Sequence, residues 1–261
     1  MVDSIELQKV IAERLEEAEQ AAEMMVLNNQ SHIKAAAGDV VERYQRHEES
    51  LLDLPYNDIV AGFGKKVWIA VLFVDMRNSS KIAELYGERD VYLTIHSVLT
   101  ALSWLVTKHD GIVVGFRGDG LFAGFGIKDN TWEEGKPKNR NPQMHIANAI
   151  NCGKSMLDAI DKSIRPVLDK RTAQQIPIQF GVGIDANEVI VTRVGLVTAT
   201  ELTAYGPAVN IASKLCGEIK DEVAITSETF KLLPKVKGGT LHYRPRGVKI
   251  GGIHRDWGIV K

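Results

Sequence analysis

Cysteine is scarce in this chain: Cys152 and Cys216 are the two it has in 261 residues. That is too few for a disulfide framework, and both lie in helix-like surroundings, so they read as reduced core thiols. Long apolar runs are missing too, and none reaches the length of a membrane crossing. The start, Met-Val-Asp-Ser-Ile-Glu-Leu, carries acids early, which is wrong for a secretory signal. Neither sign of charge is in excess, since 32 Lys and Arg face 33 Asp and Glu for a net charge of −1. Such a balance sets up no field to gather nucleic acid or an anionic membrane. These absences lead to the expectation of a cytoplasmic protein with neither nucleic acid nor membrane as partner. What is present, 44% apolar and 25% charged residues, suits a globular chain with a sizeable core. The length suits one large domain, or one domain with an appendage.

Residues 3–50 hold no proline and a single glycine, and Leu7, Val10, Ile11, Leu15, Ala18, Ala22 and Met25 recur at helical spacing. A second helical piece is expected over 31–52. Residues 1–55 therefore read as a helical arm packed on the body or on a partner subunit. Residues 56–66, with Gly62 and Gly64, read as a linker, and 67–261 as the main domain. That domain opens on Val67-Trp-Ile-Ala-Val-Leu-Phe-Val-Asp75, too continuously apolar for a half-wet strand and so expected to be buried on both faces. Helical periodicity runs from Ser79 to His109. A hairpin is expected about Gly118-Asp119-Gly120, an exposed loop over 128–142, and a helix over 144–165 stopped by Pro166. The segments 177–185 and 188–195 read as a strand pair, Pro207 as a helix start, and 223–226 as a strand. Strands and helices alternate with hairpins mixed in, which indicates α/β or α+β with a mixed sheet.

Two carboxylates stand out. Asp75 ends a buried strand, where a core avoids a charge unless something pairs it, and it either caps the next helix or holds a ligand. Asp119 lies in a Gly-Asp-Gly tip, which is either an ordinary turn or a place where a ligand nears the backbone. Two acids at the ends of adjacent strands suit Mg²⁺ or Mn²⁺, which bind through one or two carboxylates plus substrate phosphates. Ser79 and Ser80 offer hydroxyls and free N–H groups to phosphate oxygens. Asn210 and Lys214, four apart, share one helical face that is either merely solvated or suited to a ribose and a phosphate.

Taken in order, Phe73-Val-Asp75-Met-Arg-Asn-Ser, Gly118-Asp119-Gly, Phe180-Gly-Val-Gly-Ile and Gly206-Pro-Ala-Val-Asn210-Ile-Ala-Ser-Lys214-Leu resemble the class III nucleotide cyclases. The resemblance implies an α+β, ferredoxin-like palm (βαββαβ). It implies protomers paired head to tail as a homodimer, with active sites at the interface and a nucleoside triphosphate as substrate. On it, Asp75 and Asp119 match the metal-binding aspartates for two Mg²⁺ or Mn²⁺ per site, and Met76 adds its main-chain carbonyl. Asn210 matches the residue that orients the ribose. Lys214 stands where the family has an arginine acting on the transition state.

Two departures bear on substrate. Adenylate cyclases resemble one another in a purine-contacting lysine four residues before the second aspartate, and here that position is Gly115. Arg117 follows on the same strand face, and Thr203 matches the partner specificity position. Arg117 is either a base reader or a salt-bridge partner near the dimer axis. With a guanidinium in place of the lysine, the chain looks like the pyrimidine cyclases of Pycsar anti-phage systems. UTP is then favoured over CTP, because Arg117 only donates and uracil carries two carbonyl acceptors. A cyclic-nucleotide-binding effector would act downstream in antiviral defence. An adenylate cyclase with an altered pocket and a catalytically silent cyclase-like module are the alternatives. The second departure, Lys for Arg at 214, keeps the charge but loses the planar fork.

Overall fold

The computed structural model describes residues 3–26, 64–133, 136–196, 199–234 and 241–261. The first helix, α1 (Ser4–Val26), precedes the long central strand β1 (Gly64–Met76). Helices α2 (Ser79–Leu85) and α3 (Glu88–Lys108) lead to the hairpin β2 (Gly111–Arg117) and β3 (Gly120–Phe125). A small hairpin of β4 (Asn130–Glu133) and β5 (Lys136–Asn139) precedes α4 (Pro142–Ala159) and α5 (Arg165–Leu168). Then come β6 (Phe180–Leu196), β7 (Ala199–Tyr205), α6 (Pro207–Glu218) and β8 (Glu222–Thr226). The end is formed by α7 (Ser227–Lys231), β9 (Tyr243–Ile250) and β10 (Ile253–Val260).

The main sheet runs β2-β3-β1-β6-β8-β10-β9, and β7 joins the far half of β6. Within it, β6-β1-β3-β2 is wholly antiparallel, the order of a βαββαβ palm, while β8 lies parallel to β6 and makes the sheet mixed. The fold is α+β, as expected.

Alternation along β1 explains its unbroken apolar run. Ala70, Leu72, Val74 and Met76 meet one layer, with Leu102 and Leu105 of α3 and Ile146 and Ile150 of α4. Val67, Ile69 and Val71 meet the opposite layer, with Ala208 and Ala212 of α6. Both faces are covered. On the first face α1 adds Leu7, Ile11 and Leu15, all fully buried, so this part of the arm packs on the body. The helical piece expected over 31–52, like most of the expected linker, lies outside the described residues.

Several local expectations are corrected. Strand β1 starts at Gly64, inside the segment read as linker. The helix expected over 79–109 is two helices, because Tyr86 turns extended and Gly87 caps α3. The expected loop 128–142 contains the β4–β5 hairpin, and Asn130 and Asn139 each donate to the Gly126 carbonyl. Pro166 does not stop its helix, because a π turn over 160–164 intervenes and puts the proline in the first turn of α5, where no N–H is needed. Segments 177–185 and 188–195 are not a pair: from Phe180 onward they form one strand, β6, whose hairpin partner is β7.

Candidate active site

The strand register sets the site. Val74 pairs with Leu121, so Asp75 emerges from β1 beside Gly120, next to Asp119 in the two-residue turn that joins β2 to β3. Gly118 takes a φ of 62°, the mirror-turn geometry such hairpins need. Gly120 is required for another reason: a Cβ there would collide with the Val74 carbonyl and stand 2.9 Å from Asp75 Cα. The two aspartates thus meet because glycine lets two backbones touch.

Asp75 does not cap α2. Asn78 does, in left-handed backbone and without a side-chain bond, which excludes the capping reading of Asp75. Burial first, and then the charge of Asp119, push the Asp75 carboxyl above the ordinary aspartate range, while Arg77 pulls it down. Arg77 Nη2 lies 3.3 Å from Asp75 Oδ2 and donates to Cys216 Sγ on α6 at 3.3 Å. Burial pushes the Cys216 thiol up to about 12, so it stays protonated. Asp119 Oδ2 is buried with no hydrogen-bond partner. A buried orphan oxygen beside a second carboxylate fits a hard divalent cation, with substrate phosphates completing the shell. Among the described residues no group of three His, Cys, Asp or Glu side chains forms a metal cage. The residues present therefore suit an ion held jointly with substrate.

A cavity of about 370 Å³ opens beside Asp75, with Phe73, Arg117, Asn210 and Ser213 among its walls. Phe73 stacks on Phe122 with ring centroids 4.8 Å apart. Met76 is buried in the core at the end of β1 and is not among the cavity walls. Asn210 is exposed on α6 at the cavity wall. Lys214 is on the same helix but lies over the β9–β10 turn, its Nζ 3.3 Å from the Gly251 carbonyl oxygen. Ser79 and Ser80 begin α2, outside the cavity lining.

The three residues where the family pattern breaks or varies, Gly115, Arg117 and Thr203, come together. Arg117 Nη2 donates to Thr203 Oγ1 at 3.2 Å, and a Cβ on Gly115 would stand 3.2 Å from Arg117 Nη1. Arg117 also makes the salt bridge that its other reading anticipated, with Glu201 at 2.6 Å. Glu201 and Arg77 were missed in sequence. Period two from Thr203 points to Glu201 once β7 is known to be a strand, whereas nothing local marks Arg77.

The family model for the adenylate and guanylate cyclase catalytic domain matches residues 64–251. The chain belongs to this family. Within the cyclase family, it is 30% identical over 186 residues to a cytidylate cyclase of Escherichia coli, covering 66% of this chain and 39% of that protein. It is 29% identical over 148 residues to a uridylate cyclase of Rhodovulum sp. (strain MB263), covering 55% of each. The chain thus spans about half or less of the curated cyclases it matches. Among solved structures, the adenylyl cyclase CyaB from P. aeruginosa superposes with a TM-score of 0.64 at 20% identity, over 76% of this chain and 96% of that one. The guanylyl cyclase Cya2 gives 0.62 at 20% identity, over 76% and 93%. These two likenesses establish the cyclase fold. No described helix is long and apolar enough to cross a membrane.

Proposed function

We propose that the chain cyclises a pyrimidine nucleoside triphosphate, UTP before CTP, to a 3′,5′-cyclic nucleotide and pyrophosphate. The observation that carries this reading is Arg117 folded across Gly115 and bonded to Thr203. The two positions that serve purine recognition in adenylate cyclases are thereby given to one guanidinium. A long planar donor suits a one-ring base with carbonyl acceptors. The relatives named cytidylate and uridylate cyclase point the same way.

Asp75, Asp119 and the Met76 carbonyl would hold two Mg²⁺ or Mn²⁺ per site. When bound, such ions activate the ribose 3′-hydroxyl and offset the triphosphate charge. The chain's own groups supply position. Asn210 orients the ribose, Ser79 and Ser80 meet phosphate oxygens, and Lys214 brings positive charge once it leaves the Gly251 carbonyl. The 3′-oxygen then attacks the α-phosphorus in line and pyrophosphate departs.

The working unit in this reading is a homodimer that builds its sites at the interface. Phe116, Ile190, Val194 and Tyr205 are large, apolar and exposed on β2, β6 and β7, and Tyr205 stands opposite Ile190. Such a surface favours a partner. The cyclic product would act through a separate cyclic-nucleotide-binding effector, and antiviral defence is the proposed setting. Arg117→Ala tests the reading: base choice, measured as product yield from each triphosphate, should shift. If neither rate nor base choice changes, the pocket has been assigned wrongly.

A further inference from the structure

Glu201 has no part in the site as drawn so far. It lies on β7 two residues before Thr203, hence on the same face of that strand. Its pair with Arg117 is largely exposed, with the two side chains 62% and 44% accessible, and exposed pairs contribute little to stability. The geometric effect is larger. Arg117 has five N–H donors in a rigid fork. Nη1 donates to Glu201 Oε1 at 2.6 Å and to the Phe116 carbonyl at 2.9 Å, and Nη2 donates to Thr203 Oγ1 at 3.2 Å. Three donors are thus committed, which fixes the plane of the fork and leaves Nε–H and one Nη2 N–H for a ligand.

Gly115 makes room for this arrangement. A Cβ there would meet both Arg117 Nη1 and Glu201 Oε1 at 3.2 Å, closer than ordinary van der Waals contact. Thr203 alone offers one neutral bond to a group on a long flexible stem. The carboxylate supplies the charge-assisted bond that anchors the guanidinium.

We infer that Glu201 is a positioning residue for base choice: it locks Arg117 across Gly115, so that one fork both occupies the purine-reading position and presents two fixed donors to a pyrimidine. This rests on the pyrimidine reading above.

The test is kcat/KM for UTP, CTP, ATP and GTP with Mn²⁺, in wild type, E201A, E201D and the charge swap R117E/E201R. Thermal melting checks that each variant is folded. E201A should lower the ratio of the preferred pyrimidine over the purines by about tenfold or more, since small misplacements of a positioned group cost that much. E201D, which keeps the carboxylate, should recover part of the ratio. The swap rebuilds the ion pair with the guanidinium on the other strand, and it should not restore base choice. A ratio in E201A within about twofold of wild type, or full restoration by the swap, would overturn the inference. A wild type that cyclises a purine instead would sink the pyrimidine reading itself, an outcome visible before any variant is made.

Discussion

The carboxylates of Asp75 and Asp119 sit together, with Arg77 on one of them and nothing on the buried Oδ2 of the other. An unpaired buried oxygen costs free energy until a ligand completes it. Asp119→Asn should therefore lower kcat by roughly 10²–10³-fold, the scale seen when one electrostatic group is lost from an active site. Its melting temperature should hold or rise, because the substitution removes a poorly compensated charge. Turnover and thermal melting on the same preparation check both halves. Gly120→Ala separates placement from charge. Its methyl group would press on the Val74 carbonyl and Asp75 Cα, so activity should fall although both aspartates are intact. A stability loss of about 1–3 kcal/mol is expected beside it, measurable by chemical denaturation.

Secondary elements carry their own consequences. Helix α1 buries Leu7, Ile11 and Leu15 against the core, so Ile11→Ala should cost about 2–4 kcal/mol by chemical denaturation and leave base choice alone. On β6, Asp185 is buried and accepts from Thr226 Oγ1 at 2.5 Å and Thr229 Oγ1 at 2.6 Å. Burial raises its carboxyl above the ordinary range, with these bonds opposing. A raised folded-state value contributes stability below the unfolded value and loses it as pH rises through the folded one. The melting temperature of Asp185→Asn, relative to wild type, should therefore climb as the pH rises above the ordinary aspartate value of about 4. A difference that falls with pH would contradict the burial argument. Element by element, legibility followed burial. Strand β1, buried on both faces, was plain in its unbroken apolar run. The β2–β3 hairpin was plain from Gly118-Asp119-Gly120. Strand β9 was not, because it is the outermost strand of the sheet and carries Arg244, Pro245 and Arg246, the polar and proline residues that edges tolerate. Strand β7 was hidden likewise, and with it the approach of Glu201 to Arg117, which depends on how β2 and β7 meet.

At the scale of the whole molecule, the proposal of shared sites makes a prediction that no single-chain account makes. Asp75→Ala and Asn210→Ala should each be inactive alone. If each site takes Asp75 from one protomer and Asn210 from its partner, the two variants, mixed and allowed to exchange subunits, should regain about a quarter of wild-type turnover, since about half the dimers are mixed and each then has one intact site. Ile190→Glu should shift sedimentation toward a monomer and remove activity with it. The central claim, a pyrimidine cyclase, is tested most directly by incubating the purified protein with Mn²⁺ and each of ATP, GTP, CTP and UTP, and identifying the products by mass. The account predicts a single cyclic pyrimidine nucleotide, cyclic UMP ahead of cyclic CMP. Cyclic AMP or cyclic GMP as the main product, or no product from any triphosphate, would contradict it.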